Sequence, residues 1–279
     1  MAYVNTLPVD WGLVSSPLGF LVNIRSGPPT TLNRLLAEGA LDVSPVSSVA
    51  ALERAHEWLV FDHLCIGCNG DVGSVILDSD RPVERLDCAR IAVTSDSASA
   101  VKLLEVLLQR HWKIEARLVP QDHRCSARLL IGDAALKAGL SPDARFVYDL
   151  GRAWKEYTGH GFIFGLWCVR REFVLKHPEE ARALYHLLAT SYLIGRTNMP
   201  SVAATAAGVT GLPLSAIEHY YPKLVYEPDE ALWSGFAKFQ RLTGYADTRL
   251  ATFGLYDAML VHRGQAGSLQ YRFPMQGRP

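Results

Sequence analysis

The first half of the chain repeats one order: an apolar strand-like run, a short loop of small hydroxyl or amide residues, then a helix-like run. That order limits the fold more than any other feature, because a strand that feeds a helix and then another strand builds an open sheet with helices packed on its faces. Residues 30–38 carry Leu32, Leu35 and Leu36 at helical spacing, entered through Pro28-Pro29 and closed by Gly39 at the C′ position. Residues 41–46 read as a strand ending in Ser47-Ser48, a good N-cap pair for a helix over 49–58. Residues 64–67 and 73–77 read as strands bent around Cys68-Asn69-Gly70-Asp71. A strand at 90–94, a polar turn at 95–99 and an apolar helix over 100–109 follow, and a strand at 127–131 closes on Gly132-Asp133 and a helix over 134–138. The second half is helical at 178–193, 199–207, 214–221 and 229–243. The order predicts open parallel sheets that bind ligands at the carboxyl ends of their strands.

Composition narrows the partner. With 279 residues the chain makes two compact domains or one large one. Lys plus Arg and Asp plus Glu stand at 28 each with no basic run, which excludes a polybasic nucleic-acid surface and leaves a small molecule as the default ligand. No run of about 18 apolar residues occurs, so no membrane partner is expected. The opening residues form neither a basic n-region nor an apolar h-region, and the five cysteines are odd in number and irregularly spaced, which suits reduced thiols in the cytoplasm.

Three junctions could carry chemistry: Asn5-Thr6 before Pro8, residues 44–48 and residues 95–99. Each offers hydroxyl or amide groups beside a helix start, where backbone N–H groups and the helix dipole stabilise an anion without Lys or Arg. Taken together they point to a carboxylate site, although serines there also simply cap helices. The spacing Cys65-Ile66-Gly67-Cys68 fits a redox or half-zinc motif, but it lies in a strand-like run with no second pair, so it reads as buried thiols. His123 and His160 are the best-placed histidines, without a carboxylate neighbour, and read as ordinary surface or packing residues. No phosphate loop, dinucleotide fingerprint or zinc-protease motif is present, so the site is expected to need neither cofactor nor metal. The aromatics Trp154, Tyr157, Phe162, Phe164 and Trp167 suit a core or hinge, with a ring-lined ligand wall as the alternative.

Five segments then carry a family resemblance: Tyr3-Val4-Asn5-Thr6-Leu7-Pro8; Leu41-Asp42-Val43-Ser44-Pro45-Val46-Ser47; Gly70-Asp71-Val72-Gly73-Ser74-Val75; Leu130-Ile131-Gly132-Asp133-Ala134-Ala135-Leu136; and Trp154-Lys155-Glu156-Tyr157-Thr158-Gly159. In order and in register, they resemble the chorismate dehydratase (MqnA) family of the futalosine route to menaquinone. The resemblance implies an α/β, two-lobed type II periplasmic-binding-protein-like fold with the ligand between the lobes. One lobe is expected at 1–88 plus 168–279 and the other at 89–167. The implied reaction removes water from chorismate to give 3-[(1-carboxyvinyl)oxy]benzoate. By position, the resemblance implies Asn5 and Ser74 against the reacting ring and its leaving hydroxyl. Thr6, Ser47, Ser97, Ser99, Gly132 and Asp133 are the expected substrate-binding residues.

Two departures from the family pattern stand out. Ala98, Ser99 and Ala100 follow Ser97 where the family often has an Arg and Thr-Ser, so one cationic contact is missing. Met1 stands four positions ahead of Asn5, where the family usually carries a further strand segment; either the start is truncated or Asn5 sits on an end liable to fray. Other readings stay open: a binding protein that captures a small organic anion with the same fold, and the sister enzyme that makes dihydroxynaphthoate. The Tyr-Val-Asn-Thr-Leu-Pro opening favours the dehydratase. Trp233, Phe236 and Phe239 suit internal packing or a dimer surface equally, which leaves the oligomeric state open.

Overall fold

The computed structural model describes residues 4–121, 125–140 and 146–254. In chain order the strands are β1 (Val43–Ser47), β2 (Trp58–Cys68), β3 (Val75–Ser79), β4 (Arg90–Val93), β5 (Arg117–Pro120), β6 (Ala127–Ile131), β7 (Phe146–Asp149), β8 (Phe162–Arg170), β9 (Leu224–Val225) and β10 (Thr252–Phe253). The helices are α1 (Leu7–Ser15), α2 (Pro29–Ala37), α3 (Ser48–Glu53), α4 (Ala98–Val106), α5 (Gly132–Gly139), α6 (Leu150–Thr158), α7 (Arg171–Lys176), α8 (Pro178–Thr197), α9 (Met199–Thr210), α10 (Leu214–Tyr220) and α11 (Glu230–Leu242). The strands form two five-stranded sheets: β1-β8-β2-β10 with β9 beside β2, and β5-β4-β6-β3-β7.

β2 and β8 are the spine of the first sheet because they are apolar almost throughout; most of their residues are buried, as a strand covered on both faces requires. This corrects two sequence expectations. The helix expected to reach Trp58 stops at Glu53, since Trp58, Leu59, Val60 and Phe61 are at most 2% exposed and start β2. The strand expected at 64–67 is the end of β2, and β3 pairs with β6 and β7 instead of folding back on it.

The sheets are mixed. β4 pairs in parallel with β5 and β6, and β10 with β2, but β8 runs antiparallel to β1 and β2, and β3 antiparallel to β6 and β7. The reversed strands β3 and β8 are the first to follow each passage between sheets, and each inserts against its neighbours from the opposite end. Strand pairing passes to the second sheet between Cys68 and Val75, and returns between Asp149 and Phe162. Residue 88 therefore falls after β3 has joined the second sheet, and residue 167 falls inside β8.

The first passage is clipped to α6. The Asp149 carboxylate caps α6 at the Arg152 N–H and also accepts from the Val72 and Gly73 backbones at 3.0 and 2.6 Å. Arg152 pairs with Asp71, and Lys155 donates to Asn69. Behind the return passage, Trp154 donates its indole N–H to the Gly161 carbonyl and packs edge-on against Phe162 and Phe239. Phe236 and Phe239 are buried, and Trp233 packs partly buried beside Phe236. Among the described residues no helix is long and apolar enough to cross a membrane.

Candidate active site

A cavity of about 980 Å³ lies between the two sheets, at the upper end of the range for small-molecule sites. Its wall draws on the strand-to-helix junctions of both: Ser47 where β1 meets α3, with Ser44 near the start of β1, Ser97 before α4, and Gly132 where β6 meets α5. Asn5 and Thr6 enter from the turn before α1, Ser74 from the first passage between sheets, and Phe164 and Trp167 from β8. The aromatic segment thus does both things expected of it: Trp154 and Phe162 pack the hinge, while Phe164 and Trp167 line the ligand wall.

Asn5 and Ser74 share this cavity although 69 positions separate them (74 minus 5). Three tyrosines from the segment that ends α10 and follows it fix both. Tyr220 donates to Ser74 Oγ at 3.0 Å, Tyr221 to the Val4 carbonyl at 3.0 Å and Tyr226 to the Asn5 carbonyl at 2.8 Å. Gly73, at φ 73°, takes the left-handed turn that delivers Ser74, whose carbonyl accepts from the Gly132 N–H at 2.8 Å. Val4 is 4% exposed and its carbonyl accepts from Tyr221, so the backbone at Asn5 is anchored. Asn5 lines the cavity.

The hydroxyls that looked equivalent in sequence are used differently. Ser47 Oγ caps α3 at the Ala50 N–H, and Ser97 Oγ caps α4 at the Ala100 N–H. Both still line the cavity. Ser99 is fully buried and lies behind the wall, where its Oγ accepts from the Val49 N–H at 2.9 Å and ties the start of α4 to the start of α3. Asp133 also lies off the wall; its carboxylate accepts from the Val4 N–H, and burial raises its pKa.

Asp10 and Arg25 are among the charged lining residues that have no marker in the sequence. Burial pushes the Asp10 carboxyl up to about 6, opposed by its hydrogen bond with Thr6. Arg25, exposed at the mouth, is the single Lys or Arg among the described lining residues.

Comparison with known proteins decides the family. The menaquinone biosynthesis family matches residues 1–245. The chain belongs to that family. It is 31% identical, over 238 residues, to the chorismate dehydratase of Thermus thermophilus, covering 75% of this chain and 83% of that relative. Solved structures share the fold at lower identity. A protein from Archaeoglobus fulgidus superimposes with a TM-score of 0.66 at 16% identity, covering 87% of this chain and 94% of that one. The alkanesulfonate-binding protein of Xanthomonas axonopodis pv. citri, solved with MOPS bound, gives 0.60 at 15% identity, covering 87% and 91%. A Candida albicans protein described as having the generic periplasmic binding protein fold gives 0.59 at 9%, covering 93% and 91%. The fold is the two-lobed, type II periplasmic-binding-protein-like one.

In this menaquinone biosynthesis family member the remaining sequence candidates lie away from the cavity. Cys65 and Cys68 are buried in β2, where burial is the main cause that pushes both thiols up, Cys68 to about 12. His160 sits in the turn after α6, outside the cavity lining, and His123 lies outside the described residues. Among the described residues no group of three His, Cys, Asp or Glu could hold a metal ion.

Proposed function

We propose that this chain is a hydro-lyase, a chorismate dehydratase that forms 3-[(1-carboxyvinyl)oxy]benzoate and water in menaquinone biosynthesis. The observation that carries the reading is that Asn5 and Ser74 line one cavity between the two sheets of a chain from this family. The reaction breaks a ring C–H bond and the neighbouring C–OH bond. The C–H electron pair becomes the new ring double bond, and the proton leaves with hydroxide as water. Because the product ring is aromatic, orientation and charge placement supply most of what catalysis requires.

In this reading Asn5 hydrogen-bonds the substrate where charge develops, and Ser74 directs its proton at the leaving hydroxyl. A substrate carboxylate takes the ring proton. Thr6, Ser47, Ser97 and Gly132 contact the substrate, while Ser99 and Asp133 hold the wall behind them. Arg25 supplies the cation for a carboxylate, a charge-assisted contact that the Ala98-Ser99-Ala100 segment lacks. The two lobes divide where strand pairing changes sheet, and the enzyme works in the cytoplasm on chorismate as a free small molecule, with no step routed through a cofactor.

The test is incubation of the purified protein with chorismate, followed by chromatography and mass measurement. Appearance of the aromatic enol ether is the expected result. Unchanged chorismate, together with tight binding of another organic anion, would favour a binding protein of the same fold, a reading kept because the alkanesulfonate-binding protein shares the architecture.

A further inference from the structure

Ser74 is the one proposed catalytic side chain whose hydroxyl is itself held by another side chain. Its Oγ is 4% exposed as a residue and accepts from the Tyr220 hydroxyl at 3.0 Å, with both groups buried. A serine hydroxyl has one proton to give and two lone pairs to receive. Tyr220 fills one receiving position. Among the described residues Ser74 Oγ donates to no acceptor, and Ser74 lines the cavity.

We infer that Tyr220 is a positioning residue that fixes the direction of the Ser74 hydroxyl, so that Ser74 serves as a hydrogen-bond donor to the substrate's leaving oxygen and not as an acceptor. This rests on the reading of Ser74 given above and deepens it. The tyrosine is not a proton source. Burial raises its phenol pKa well above the usual range, so a tyrosinate left behind by proton relay is strongly disfavoured. Its effect is to remove a choice: with one lone pair of Ser74 engaged, the hydroxyl has fewer rotamers in which its proton points away from the ligand.

The location supports a role in aim over one in packing alone. Tyr220 closes α10, and the neighbouring Tyr221 and Tyr226 grip the backbone at Val4 and Asn5. One short segment therefore sets both residues that face the reacting ring. Tyr220 differs from the other two because its target is a side chain, and only it can change the direction of a proton.

The experiment is a double-mutant cycle on chorismate turnover with Tyr220→Phe, Ser74→Ala and the pair. Tyr220→Phe keeps the ring and removes the hydroxyl; it is expected to lower kcat about tenfold with KM within about twofold. In the Ser74→Ala background the same change is expected to alter kcat by less than about twofold. A structural role would instead carry its loss into both backgrounds, and that outcome overturns the inference, as does an unchanged kcat in Tyr220→Phe alone. Near-normal turnover in Ser74→Ala would overturn the reading of the site itself and this inference with it, and is distinguishable because it is read in the single variant. Should Tyr220→Phe fail to fold, Tyr220→Met, which fills the space flexibly, runs the same cycle with the same criteria.

Discussion

The polar side chains in and behind the cleft wall fall into two sets that differ in what holds them. At Ser47, Ser97 and Ser99 the oxygens accept from backbone N–H groups at the starts of α3 and α4, so a receiving position of each is used by the fold, although Ser47 and Ser97 also line the cavity. At Asn5 the backbone carbonyl, and at Ser74 one receiving lone pair, are held by tyrosines, and both residues line the cavity. The difference teaches that a residue's chemistry in a cleft depends on what already occupies its hydrogen-bonding capacity. A serine that caps a helix and a serine that is aimed look identical in sequence.

The predictions press on that contrast. The largest effect is expected at Asn5→Ala, which removes a donor to developing charge and should lower kcat by about 10²–10³ with little change in melting temperature. Ser99→Ala should do the reverse. It leaves the buried Val49 N–H without its partner, costs about 1–3 kcal/mol in denaturant unfolding, and keeps kcat/KM within about threefold.

Asp10 tests the electrostatics of the cavity wall. Its folded value of about 6 lies above the ordinary 3.8, so the folded chain holds a proton that the unfolded chain releases between those values. That contribution to stability is complete below about 3.8 and is lost as pH rises through about 6. Asp10→Asn is therefore expected to unfold at higher denaturant than the parent at about pH 7.5, by about 1–3 kcal/mol, with the difference shrinking towards pH 4. Equal differences at both pH values would contradict the assignment. Arg25→Ala comes next, with KM for chorismate raised about tenfold and kcat little changed, as loss of a charged contact at the cavity mouth requires. The smallest effect is Ser47→Ala, a lost cap costing about 1 kcal/mol, seen as a lower denaturation midpoint.

The hydroxyl contrast also marks what could be read from the sequence. β1, β4 and β6, with α2, α4, α5 and the C-terminal helices, were legible because apolar spacing and caps within about ten residues define them. β5 and β7, at four residues each, carry too little periodicity to be legible, and in β8 the aromatics Phe162, Phe164 and Trp167 suit a packed cluster as well as a strand. Strand direction has no local signature, which is why parallel sheets were expected where β3 and β8 run antiparallel. The Asn5 and Ser74 positions came from motif resemblance. The tyrosines did not, since Tyr220 meets Ser74 across 146 positions, and no local pattern announces such a contact. A Tyr220-Tyr221 pair at the end of a helix is the one visible hint.

The most direct test of the central claim compares chorismate turnover by Ser74→Ala and Ser99→Ala, two serines buried to a similar degree near one cleft. The account predicts that Ser74→Ala loses kcat by at least about a hundredfold while still folding, and that Ser99→Ala unfolds more readily yet turns over substrate at close to the parent rate. Near-normal turnover in Ser74→Ala, or a comparable catalytic loss in Ser99→Ala at full folding, would contradict it.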